Sequence, residues 1–155
     1  MNQHTQLIWK KLENLRRLRG YLAFSLTQTL PLMPIRDWKS LTPHEHETLA
    51  AFRLRFSEFQ EHLGKAMRAI AIEEEQRTEP FTAVLLYMEK LDIIDTSERW
   101  KSIRELRNAV NHEYEENTER LSEFFVELTK SAPELFRYQD RLADFCESNY
   151  RGKAE

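Results

Sequence analysis

Seven apolar residues, Leu49, Phe52, Phe56, Phe59, Leu63, Ala66 and Ile70, recur at strictly alternating intervals of three and four. That spacing lines them along one stripe of an α-helix about six turns long. A strand would scatter them over both faces of a sheet. A stripe of three large rings and three branched chains has to be covered by other helices, so the segment reads as a packed bundle seam. Few residues interrupt such a plan: the 155-residue chain has three glycines and five prolines. The length is that of one domain with a real core.

The other elements follow from the same period and from their end signals. A first helix is expected over 3–30, carried by Ile8, Leu12, Leu15, Leu22 and Leu26 and stopped by Pro31 and Pro34. Gly20 inside it predicts a close helix–helix approach. Thr42-Pro43-His44-Glu45 is a start signal for the seam helix: Thr42 as cap, Pro43 in the first turn and Glu45 reaching back. A short third helix, 81–91, is apolar on several sides (Val84, Leu85, Leu86, Met88, Leu91) and is expected to be central. Asp95-Thr96-Ser97-Glu98 reads as a second capping box and launches a fourth helix with Trp100, Ile103, Leu106 and Val110 inward. After a break near Glu115-Glu116-Asn117, Leu121, Phe124, Phe125 and Leu128 begin a fifth, which Pro133 is expected to restart or kink before Leu135, Leu142 and Phe145. The expected fold is an all-α up-and-down bundle of about five helices, with residues 1–150 one domain and 151–155 a flexible tail.

Charge and composition narrow the functions. A formal net charge of -3 argues against general electrostatic capture of nucleic acid, though not against a local basic site. From Glu98 to Arg107 there are four cations (Arg99, Lys101, Arg104, Arg107) against two acids, whereas Glu113 to Glu123 is strongly acidic. The field therefore changes sign near residue 110. The single cysteine, Cys146, excludes an internal disulfide framework and fits a reducing compartment. The opening residues lack a signal pattern and no stretch approaches a membrane span, so the cytoplasm is the expected location.

The chemistry concentrates in Arg107-Asn108-Ala109-Val110-Asn111-His112-Glu113-Tyr114. A permanent cation, an amide, an imidazole and a phenol fall within eight residues, the groups needed to hold a phosphodiester and move protons around it. If the helix continues through the segment, Asn108 lies one turn below His112, and Arg107, Asn111 and Tyr114 share an adjacent stripe. Arg107 and His112 would then point about 140° apart, flanking a groove rather than touching. A second copy of the same segment across a two-fold axis is the simplest way to complete such a site. Other groups read blandly. His44 and His46, with Glu45 and Glu47, sit at a helix start without metal-ligand spacing; His62 lies on the bundle surface, and Cys146 is packing. No phosphate-binding glycine loop, catalytic-triad order or zinc-spaced set is present, so no metal and no cofactor is expected.

Arginine and asparagine followed, after three residues, by histidine and then a tyrosine two further on, at the end of a helix in a small all-α chain, resembles the HEPN superfamily, and more narrowly the HepT-type toxins of HEPN/MNT toxin–antitoxin modules. The specific part of the likeness is Leu106 to Tyr114; Arg107, Asn108, His112 and Tyr114 match the marked positions. The resemblance implies a homodimer whose motifs face each other across a cleft and cleave RNA without a metal. It implies neutralisation by a partner with a minimal nucleotidyltransferase fold, which in that branch transfers AMP to the motif tyrosine, here Tyr114. It also allows a non-catalytic companion or substrate-binding subunit of such a nucleotidyltransferase. In the nuclease reading Arg107, His112 and Asn108 are catalytic, and Arg104, Asn111 and Tyr114 bind substrate, a structured RNA with tRNA the target by analogy. The 2′-hydroxyl is the nucleophile, which makes the activity RNA-selective. His112, with an ordinary pKa near ~6.5, exchanges protons near neutral pH. Arg107 offers a planar fork to phosphate oxygens.

Overall fold

The computed structural model describes residues 2–109 and 117–151, and the described residues are helical, with no strand among them. Five α-helices follow in order: α1 (Gln3–Thr29), α2 (Pro43–Glu73), α3 (Phe81–Lys90), α4 (Ser97–Arg107) and α5 (Thr118–Tyr150). Two 3-10 turns, Leu30–Leu32 and Trp38–Ser40, lie between α1 and α2.

Four of the five starts are fixed by a short polar side chain that satisfies an orphan backbone donor, whereas α3 follows Pro80 without one. Asn2 Oδ1 accepts from the Thr5 amide at 2.7 Å and Asn117 Oδ1 from the Arg120 amide at 3.1 Å. At α2 the expected capping box is formed: Thr42 Oγ1 accepts from the Glu45 amide at 3.1 Å, and Glu45 Oε1 accepts from the Thr42 amide at 2.9 Å. The start of α4 differs from the expected box. Thr96 is the cap, accepting from the Arg99 amide at 2.9 Å. Asp95 is drawn away by Arg141, 2.8 Å from its carboxylate, and the Ser97 amide donates instead to Glu89 Oε1 at 2.7 Å.

The core is the predicted seam and what covers it. All seven residues of the α2 stripe are buried, facing Ile8, Leu12, Leu15 and Leu22 of α1 and Leu121, Leu128, Leu135 and Leu142 of α5. The α1–α2 pairing is the most extensive in the molecule. The segment between them is pinned across the start of α5, where the Ile35 amide donates to Ser122 Oγ at 2.9 Å and the Trp38 amide to Thr118 Oγ1 at 3.1 Å.

Three expectations need correction. Gly20 is not a point of close approach, since nothing lies within 4 Å of a Cβ built there; Gly64 is, with Phe81 Cζ and Trp100 Cζ2 each at 3.5 Å. Helix α3 is amphipathic rather than central: Val84, Leu85 and Met88 are buried but Leu86 is 53% exposed. Helix α5 does not restart at Ser131–Glu134 but runs on through Pro133. Its apolar stripe continues on both sides of the proline, so burial outweighs the one backbone bond that a prolyl nitrogen cannot donate. Among the described residues no helix is long and apolar enough to cross a membrane.

Candidate functional site in the crevice between α2 and α4

Helix α4 is held on both flanks. On one, Arg99 grips Glu134 of α5 through Nε and Nη2 at 2.9–3.1 Å, and Tyr138 donates to the same carboxylate at 2.8 Å. Burial alone would raise the Glu134 pKa, but the hydrogen bonds from Arg99 and Tyr138 outweigh it and hold the carboxyl below its ordinary range. Burial and the neighbouring Glu134 carboxylate push the Tyr138 hydroxyl well up. On the other flank, Gln60 of α2 donates through Nε2 to the Trp100 carbonyl at 3.3 Å. The Thr96 cap sets the phase of the helix, so Trp100 and Ile103 point into the core while Arg104 faces out.

Arg107 ends α4 and turns back onto α2. Its Nη1 donates to the Ser57 carbonyl at 2.6 Å. The side chain is half-buried, and its Nε is buried without a hydrogen-bond partner. Desolvation lowers its pKa from the ordinary arginine value, the Glu61 carboxylate opposes that shift, and the Arg104 cation adds to it. An arginine remains charged under these conditions. The outcome is a desolvated, positionally fixed guanidinium at the edge of a crevice.

That crevice is a cavity of about 240 Å³ between α2, the first residue of α3, and α4. Gln60, Gly64, Phe81 and Trp100 form its inner wall, and Lys65, Arg68, Arg104 and Arg107 give it four cations against one carboxylate, Glu61. Two of the cations are engaged at the surface, Arg68 with Glu79 at 2.9 Å and Lys65 with Glu61 at 3.7 Å, pairs of small energetic worth when exposed. Arg104 has no ion-pair partner among the described residues. Gln60 is 1% exposed, yet its Oε1 has no partner. A buried acceptor left unsatisfied costs on the order of 1–3 kcal/mol, an expense that well-packed interiors avoid.

Of the residues singled out from the sequence, Arg104 and Arg107 are brought together on this cavity. Asn108 is exposed and is the C-terminal cap of α4, its amide donating to the Glu105 carbonyl at 3.2 Å. Helix α4 ends at Arg107. Asn111, His112 and Tyr114, with Val110, lie outside the described residues. Sequence reasoning missed Gln60, Gly64, Lys65 and Phe81. The available signal was a glycine in the middle of a strongly periodic helix, with Gln60 one turn before it. No cluster of three or more His, Cys, Asp or Glu side chains suited to a metal ion occurs among the described residues. His46 instead packs edge-on to Trp38, with ring centroids 4.6 Å apart. Comparison with family models, curated proteins and solved structures finds no match to the chain.

Proposed function

We propose that this chain is a metal-independent endoribonuclease of the HEPN toxin type, acting as a homodimer through Arg107 and His112. The observation that supports it most is the state of Arg107: a guanidinium half-withdrawn from water, anchored by one nitrogen to the Ser57 carbonyl, with a second cation, Arg104, one turn away. An arginine fixed in this way meets a phosphate without first having to be ordered, which is the requirement for stabilising charge that builds up in a transition state.

In the reaction, the ribose 2′-oxygen attacks the adjacent phosphorus as an imidazole, His112 of one copy or the other, takes its proton. Negative charge collects on the phosphorane oxygens, where Arg107 offsets it. The bond to the 5′-oxygen breaks, and that oxygen takes up a proton as it leaves. The products are a 2′,3′-cyclic phosphate and a 5′-hydroxyl. Asn108 at the helix end orients the imidazole or the phosphate, while Arg104, Asn111 and Tyr114 hold flanking substrate. A nucleotidyltransferase-fold partner would silence the enzyme by placing AMP on Tyr114, adding bulk and negative charge that compete for the phosphate site beside Arg107.

Total RNA incubated with the purified protein in EDTA tests the proposal: the parent produces new fragment ends, while Arg107→Ala and His112→Ala do not. A second reading is favoured by the Ser57 contact itself. If Arg107 is a staple between α4 and α2 and no more, the chain is a non-catalytic companion subunit of a nucleotidyltransferase. In that case no RNA is cut by protein shown by mass spectrometry to carry no AMP on Tyr114.

A further inference from the structure

The cavity between α2 and α4 has a composition that its place behind Arg107 does not demand. Its rim is cationic, through Lys65 and Arg104, while its inner wall is apolar and aromatic, through Gly64, Phe81 and Trp100. A simple anion would be served by the rim alone. Gln60 lines the same wall, and its amide orientation is fixed. Its Nε2 is committed to the Trp100 carbonyl at 3.3 Å, so Oε1 is the atom left over, an acceptor with no donor. Gly64 brings the α2 backbone close to this wall: a Cβ there would already be in van der Waals contact, 3.5 Å, with both Phe81 and Trp100. At about 240 Å³ the space falls below the range of ~300–1,000 Å³ usual for a whole drug-sized ligand. It suits one flat ring system whose charged appendage stays at the mouth.

We infer that this cavity is a base-recognition pocket, receiving one nucleobase of a single-stranded nucleic acid while Arg104 and Lys65 hold the neighbouring phosphate. The ring lies against Phe81 and Trp100, the usual means by which proteins hold an unstacked base. Gln60 Oε1 is fully buried at the wall, so a small shift of the Gln60 side chain on binding lets it accept from the base edge, and it then selects bases that carry an exocyclic amine. Uracil presents only a ring N–H flanked by two carbonyl oxygens, and those oxygens would face the buried acceptor. The pocket deepens the ribonuclease reading, since it would choose the nucleotide beside the cut, but it rests on that reading only in taking RNA as the natural ligand.

Fluorescence-anisotropy titration of the full chain with labelled five-residue oligodeoxynucleotides tests the pocket apart from cleavage, because these probes lack the 2′-hydroxyl. The all-adenine and all-cytosine probes are expected to bind about tenfold more tightly than the all-uracil probe, the discrimination typical of one good base contact. Gln60→Met, which keeps the volume and removes the acceptor, brings the three affinities within about twofold. Arg104→Gln, at an exposed position, weakens all three by a similar factor, as loss of a phosphate contact does. Lys130→Gln, remote from the cavity on α5, changes none. Equal binding of the three probes by the parent overturns the inference, as does discrimination that survives Gln60→Met in protein with parental circular dichroism. An unaffected Arg104→Gln removes the phosphate part of it. RNA cleaved in EDTA without base discrimination would sink the pocket and spare the nuclease. Discrimination without cleavage would do the reverse.

Discussion

Arg107 at the end of α4 and Glu134 on α5, which packs against the same helix, are two ionised groups in opposite environments. Glu134 is a carboxylate with both oxygens engaged, by Arg99 and by Tyr138, whereas Arg107 keeps a buried nitrogen with no partner. The first arrangement is structural and has a pH signature. Because the native pKa of Glu134 is depressed, its contribution is present above the ordinary glutamate value and is lost as pH falls through the native one. The Glu134→Gln protein is therefore expected to be less stable than the parent at pH 7, and to lose less stability between about pH 5 and about pH 3. Urea midpoints measured across that window check it; parallel pH profiles for the two proteins would show that Glu134 is not held below its ordinary range. Arg107 is instead held by one nitrogen on the Ser57 carbonyl, and the proposed nuclease role rests on that fixed guanidinium.

At the scale of elements, caps and glycines carry most of the explanation. The Thr42–Glu45 capping box is complete, and Thr42→Ala is expected to cost about 1 kcal/mol, read from the thermal or urea midpoint. Gly20 and Gly64 make a matched pair of opposites. Gly20 lies within α1 with open space around its missing side chain, so Gly20→Ala should raise stability by roughly 0.5–1 kcal/mol. A loss on that substitution would reveal a contact that the fold does not display. The sequence could not tell these glycines apart, since both interrupt strong helical patterns and what distinguishes them lies far along the chain. For Gly64 that is Phe81 and Trp100. The α2 stripe, by contrast, was fully legible, because spacing alone forces seven residues onto one face. Pro133 misled for a related reason: a local rule forbids it inside a helix, and the burial of Leu128, Leu135 and Leu142 overrides that rule.

On the scale of the whole molecule, an acidic chain keeps a small basic crevice by assigning its cations to two helices that meet. Lys65 and Arg68 come from α2, Arg104 and Arg107 from α4; Glu61 is the one carboxylate among the lining residues, and Glu79 pairs with Arg68 from outside them. Only the α4 half of that arrangement showed in the sequence, as the cation-rich stretch before residue 108. The α2 half was hidden inside a seam whose apolar residues dominate its pattern. The candidate site was thus half legible: Arg104 and Arg107 could be named from local spacing, whereas Gln60 could not, because its importance arises from a hydrogen bond to a backbone carbonyl forty residues on. The dimer and the roles of Asn111, His112 and Tyr114 are proposals that rest on the motif's chemistry and its resemblance, and activity is their test.

The most direct test is the chemistry of the ends. A defined RNA cut by the protein in EDTA, alongside the same strand carrying a single 2′-deoxy residue at the cleaved position, should yield 2′,3′-cyclic phosphate and 5′-hydroxyl ends from the first and nothing at that position from the second. His112→Ala and Arg107→Ala should each lower the rate by at least about a hundredfold, the scale expected when a proton-transfer group or a charge-stabilising group is lost. Cleavage that persists at the deoxy position, or that survives both substitutions, would contradict the assignment of a 2′-hydroxyl nucleophile served by Arg107 and His112.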